Sequence, residues 1–188
     1  MNILDNIYGV LFKPYQTFPK LTDRSIFSGS ILIIIMLALI NALKNSIVFD
    51  ASNGSMWLLF IINVILYTLI WIMSGVFITF TADMFGGSGK ISETMTGLAY
   101  SVLPLMFIAP LYMLFLPMGE TGDNIYSLLK IVIFIWSLFL VVNSIKYVHK
   151  FHTTQAILSL ISLIFLKLLF IMGLMIISIL GAIFASSI

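Results

Sequence analysis

Apolar positions along this chain come in long unbroken runs, not in the alternation or heptad spacing of a water-facing domain. A helix that crosses a bilayer needs about 20 mostly apolar residues, and five segments meet that length: 25–48, 56–82, 97–116, 125–148 and 156–185. The third carries Pro104 and Pro110. Proline breaks a helix in water, but a spanning helix tolerates it where neighbours satisfy the freed carbonyls, so a kinked span is expected there. The connections are short, and none can hold a folded soluble domain. The pattern predicts an all-α polytopic membrane protein, one domain over residues 1–188 built as a bundle of five transmembrane helices.

Ahead of the first run, Ile3, Ile7, Val10 and Leu11 fall at helical spacing. They fit a short N-terminal interfacial helix, or else a loosely ordered apolar terminus. Pro14 and Pro19 bound an irregular hinge after it. No A-x-A-like exit follows the first long run, so no cleaved signal peptide is expected.

Composition agrees with the pattern. Of 188 residues, 61% are hydrophobic and 9% charged, and the mean hydropathy is +1.18. A soluble domain carries about a quarter charged residues, so lipid is the solvent for most of this surface. With no cysteine, disulfides, thiolate metal sites and cysteine nucleophiles are excluded. A net charge of +2 from scattered basic residues does not suit nucleic-acid binding.

Basic residues near span ends set orientation. Lys13, Lys20, Arg24, Lys90, Lys146 and Lys150 share one side of a five-span topology, against Lys44 and Lys130 on the other. The N-terminus is therefore expected in the cytoplasm and the C-terminus outside.

The loop "GGSGK", Gly86 to Lys90, invites comparison with a phosphate-binding loop. The Walker pattern requires glycine at position 84 and Ser or Thr after the lysine, between a strand and a helix. Here Met84 and Ile91 stand at those places, after a spanning helix. The stretch reads as a turn at the membrane surface, with the glycines supplying positive φ and Ser92 and Glu93 opening the next helix. Nucleotide binding is not expected, and no cofactor is.

Lys167, inside "LIFLKLLFIMG", lies roughly 17 Å from the start of the fifth run at 1.5 Å per residue. An intramembrane charge is a functional-site candidate, and Asn63 and Tyr67 sit at comparable depth. Residues 168–184 are also about long enough to span alone, in which case Lys167 marks a boundary and snorkels. The anchoring reading is preferred. His149 and His152 without a third ligand do not make a metal site. Asp83 is expected to accept from the N–H groups of the following turn. No nucleophile–base pair, no H-E-x-x-H and no pair of intramembrane carboxylates appears, so an enzyme is not expected.

Three stretches carry a family resemblance: "FGGSGKISETMTGLAYSVLPLMF" (Phe85–Phe107), "LFKPYQTFPKL" (Leu11–Leu21) and "WSLFLVVNSIKYVHKFHTTQAILSLI" (Trp136–Ile161). With their paired glycines, Tyr100 and Pro104, they resemble the Ypt-interacting-protein (YIP) family of integral membrane proteins. The resemblance implies five spans and a cytoplasmic N-terminus. Eukaryotic members associate with prenylated Rab-type GTPases and with one another, but they usually have a longer cytosolic N-terminal region. About two dozen residues precede the first span here, so the resemblance points to a prokaryotic plasma-membrane member. It implies a non-enzymatic protein that binds other membrane proteins, or itself, or organises the membrane. The contact surface would be its cytoplasmic face, with Gly86, Gly87, Lys90, Lys146, His149, Lys150 and His152. A small transporter or channel using Lys167 in the bundle interior is the alternative.

Overall fold

A computed structural model describes residues 3–21, 27–48 and 53–186, with the backbone alone for 53–55 and for most positions after 165. Every regular element among the described residues is helical. The order is α1 (Ile3–Phe12), one turn α2 (Pro14–Thr17), α3 (Phe27–Val48), α4 (Asn53–Met84), α5 (Ile91–Ser101), α6 (Ile108–Phe115), α7 (Gly119–His149) and α8 (Thr153–Ser186). Short 3-10 turns at Phe18–Lys20, Leu103–Phe107 and Leu116–Met118 join them. Three helical runs are long and apolar enough to cross a membrane: Phe27–Val48, Met56–Met84 and Ile91–His149, the last through α5, α6 and α7.

The molecule is apolar on its outside. Along α4, Leu58, Ile61, Ile62, Ile65, Leu66, Leu69, Ile70 and Met73 are all exposed, which is the i, i+3, i+4, i+7 stripe of a helix face. In water so large an exposed apolar surface would drive aggregation; in a bilayer it is the solvated face. The chain is an integral membrane protein.

At the centre stands α5, where every residue from Thr94 to Ser101 is buried. It packs against α3, α4 and α7. Its hydroxyls bond within the helix: Thr94 Oγ1 donates to Lys90 O and Thr96 Oγ1 to Ser92 O. Neighbours also reach in, and the Trp71 indole donates to Met95 O at 2.7 Å. Close approach to α7 depends on Gly97, where a Cβ would collide with Ser144 Oγ.

The third apolar run is not a single kinked helix over 97–116. Helix α5 starts six residues earlier, at Ile91, and stops at Ser101. A 3-10 stretch carries Pro104, and α6 follows. The cause is visible at the break. Leu105 N–H bonds to Val102 O instead of continuing the α ladder, which leaves Ser101 O without its helical donor. Ser137 Oγ of α7 supplies the hydrogen bond instead, at 3.0 Å, as expected for a proline-interrupted segment inside a bundle. The connection at 117–124 is also more regular than expected, because α7 already begins at Gly119, where φ is +58°.

Helix α1 forms, and it has two apolar faces. Val10 is buried with Phe18, Leu21, Ile33, Tyr100, Leu103 and Leu140, and Ile7 and Leu11 pack half-buried against that cluster. Leu4 (77% exposed), Tyr8 (58%) and Phe12 (63%) point away from the protein. Tyr15 then sets its ring edge-on to Phe139 and Tyr147 of α7. Leu140 lies nine residues before the end of α7, so the N-terminal segment reaches roughly 14 Å below that end.

Candidate functional site

The turn after α4 is built from two glycines with different duties. Gly86 takes φ +83° with open space around its α-carbon, and its N–H bonds to Asp83 O while Gly87 N–H bonds to Ala82 O. Gly86 is the left-handed residue a helix end needs. Gly87 is set by contact instead: a Cβ there would lie 2.8 Å from Phe151 Cζ and 3.0 Å from His149 Nδ1. The backbone carbonyl of Asp83, not its exposed carboxylate, serves this turn. The start of α5 also differs from expectation. Lys90 is the N-cap residue, and its N–H donates to Glu93 Oε2 at 3.1 Å, so Ser92 lies within the first turn.

The turn closes over His149, the last residue of α7, which is 1% exposed. Gly89 N–H donates to His149 Nδ1 at 3.3 Å, and Nε2 lies 2.9 Å from Thr94 Oγ1. An Nδ1 that accepts leaves the imidazole proton on Nε2, so the ring is neutral and donates to Thr94. The Thr94 hydroxyl in turn donates a hydrogen bond to Lys90 O and lies 2.9 Å from Thr79 Oγ1 of α4. Phe151 stacks on the imidazole at 5.6 Å. Burial holds the His149 pKa below its ordinary range, and the charges of Asp83 and Glu93 offset part of that effect. Three elements, the ends of α4 and α7 and the start of α5, are thus tied through one neutral ring.

The turn from α7 to α8 is tied to the same place. Lys150 caps α7 in the left-handed region (φ 58°, ψ 40°). His152 N–H donates to Gln155 Oε1, and Gln155 Nε2 donates across to Phe85 O at 3.3 Å. Lys146 Nζ donates to Thr153 Oγ1 at 3.1 Å and lies 5.8 Å from the Tyr147 ring centre.

Gly86, Gly87, Lys90, Lys146, His149, Lys150 and His152 therefore lie at one lysine-rich end of the bundle. Gly86, Lys90, Lys150 and His152 are exposed. His149 is beneath the surface and holds it together. The two histidines do not converge, since His152 faces outward; among the described residues no three His, Asp or Glu gather as metal ligands.

The intramembrane candidates stand apart from this end. Asn63 and Tyr67 are half-buried, one turn apart on α4. The Asn63 amide donates to Leu59 O at 2.8 Å, and Asn41 and Asn143 bond their own i−4 carbonyls in the same way, so these amides are satisfied within their helices. Tyr67 packs against the cluster around Trp71 and Ile78. The Lys167 side chain lies outside the described residues. Sequence reasoning missed Thr79, Thr94, Phe151 and Gln155. Of these, Thr79 had a local signal as a hydroxyl inside the apolar run 56–82, and Thr94 lies in the polar stretch one turn after Lys90.

Against known families, the chain matches the Yip1 domain over residues 8–175. It belongs to that family. No curated protein and no solved structure matches the chain.

Proposed function

We propose that this Yip1-domain protein is a non-enzymatic membrane protein that binds other integral membrane proteins, further copies of itself included, and so organises the membrane around it. Its working surface is the lysine-rich end, which faces the cytoplasm of a prokaryotic cell. One observation carries the reading. Two turns, from α4 to α5 and from α7 to α8, are joined there through buried His149 and through Gln155, while Phe85, Lys90, Lys150 and His152 stay exposed. A rigid platform with a mixed aromatic and basic rim is the kind of surface protein partners select, because ordering it on binding costs little. The charge placement supports the orientation, since lysine-rich ends stay on the cytoplasmic side. Membership of the Yip1 family supports a five-span, non-catalytic bundle. The transporter alternative finds no support in Asn63, whose amide is already paired.

Photo-crosslinking in native membranes tests the reading. A photoreactive residue at Lys90 or His152 should give discrete protein adducts, whereas the same group at lipid-facing Ile65 should give mainly lipid adducts. Equal adduct patterns at all three positions, or none at the lysine-rich end, would overturn it.

A further inference from the structure

At the lysine-rich end an open cleft of about 620 Å³ lies between three parts of the chain. Pro19 of the N-terminal segment forms one wall, Ser88 and Glu93 of the α4–α5 turn a second, and Lys146, Tyr147 and Lys150 of α7 the third. We propose that this cleft binds the phosphate of an anionic phospholipid headgroup, a proposal that rests on this end lying in the headgroup layer.

The charges favour an anion. Glu93, the one carboxylate on the walls, is committed to the backbone N–H of Lys90. Neither Lys146 nor Lys150 has a carboxylate partner among the described residues. An ammonium has three donors, and Lys146 uses one on Thr153, which fixes its position and leaves two for a ligand. Lys150 adds a second point. It is the one non-glycine residue with positive φ among the described residues, a conformation unfavourable for a side-chain-bearing residue, and glycine would serve the cap better. What lysine adds at that position is its charge at the mouth of the cleft.

The ligand is a lipid and not a soluble phosphate because of what adjoins the cleft. Tyr147 in its wall is in ring contact with Tyr15, and Tyr15, Phe12 and Tyr8 continue as exposed aromatic surface along the N-terminal segment. A headgroup seated between the two lysines would lay its acyl chains along that strip. The volume falls in the range of small-ligand sites, roughly 300–1,000 Å³, and basic pockets beside spanning helices on the cytoplasmic side are suited to anionic headgroups.

Native mass spectrometry of the detergent-purified full chain, with short-chain phosphatidylglycerol or phosphatidylcholine added, tests this. Phosphatidylglycerol should be retained about 25-fold more than phosphatidylcholine, and Lys146→Gln combined with Lys150→Gly should abolish the difference, at about a factor of five per lysine. Lys150→Gly alone relieves the backbone while deleting the charge, so it should weaken retention several-fold with no loss of melting temperature. Lys146→Arg, and Lys130→Gln in the first half of α7, remote from the cleft, should keep the selectivity. Equal retention of the two lipids, or selectivity that survives the double substitution, overturns the proposal. Displacement of phosphatidylglycerol by millimolar inorganic phosphate overturns the lipid assignment in favour of a soluble phosphate. Crosslinking of partner proteins needs no bound lipid, so failure here is distinguishable from failure of the protein-binding function.

Discussion

A single neutral imidazole joins the ends of α4 and α7 to the start of α5, and that makes its partners sensitive positions. Thr94→Val removes the acceptor for His149 Nε2–H and leaves a buried donor unpaired. Such a loss costs about 1–3 kcal/mol, so the melting transition in detergent should fall by several degrees. The same ring gives a pH dependence. Burial lowers the His149 pKa, against Asp83 and Glu93 which raise it, so between that lowered value and about 6.5 the unfolded chain binds a proton that the folded chain refuses. Stability therefore rises with pH through this window and is complete above it. Melting temperatures should be level from about pH 8 to 7 and fall below about 6.5. In His149→Gln that fall should be absent; an unchanged slope would show that another group titrates. Of this arrangement the sequence displays only the glycines and the two histidines. The need for Gly87 arises from Phe151 and His149, about sixty positions away, and no local pattern encodes so distant a contact.

Helix by helix, the legible part was whatever lipid dictates. Continuous apolar runs mark the spanning elements because the bilayer removes water from every face, so no periodicity has to be resolved. What was hidden is the path of the chain where backbone hydrogen bonds are exchanged between helices. Pro104 announces a disturbance, but that α5 would end at Ser101 and α6 begin anew depends on Ser137 of another helix accepting the role of donor to the stranded carbonyl. Helix α1 shows a second limit. Its apolar row predicts one face, yet the helix is apolar on both, one toward the protein and one toward lipid, and composition alone cannot assign them. Their difference is measurable. Phe18 is fully buried, so Phe18→Ala should cost about 3–5 kcal/mol. Phe12→Ala, on the exposed face, should leave the melting temperature in detergent nearly unchanged. If the two substitutions were equal in effect, the N-terminal segment would not be docked against α3, α5 and α7.

For the whole molecule, lengths and contacts together constrain the topology more than hydropathy does. Helix α7 has 31 residues, about 46 Å at 1.5 Å per residue, against a hydrocarbon core of about 30 Å. Its two ends must emerge on opposite sides. Helix α4, with 32 residues, obeys the same bound. Because Gly89 touches His149, the α4–α5 turn and the α7–α8 turn share a side, and Pro19 lines the same cleft, which brings the N-terminal segment to that side too. On the five-span expectation those placements would assign two crossings to α3 and α4, a third to the broken run from α5 to α6, a fourth to α7 and a fifth to α8. The absence of native cysteine makes the prediction direct to test. Single cysteines at Ser88 and His152 should be blocked by a membrane-impermeant maleimide only after the cell is opened, and a cysteine at Thr121 should react in intact cells. Labelling of Thr121 and His152 from one side would mean that α7 does not cross, and the proposed placement of the two joined turns at the cytoplasmic surface would fall with it.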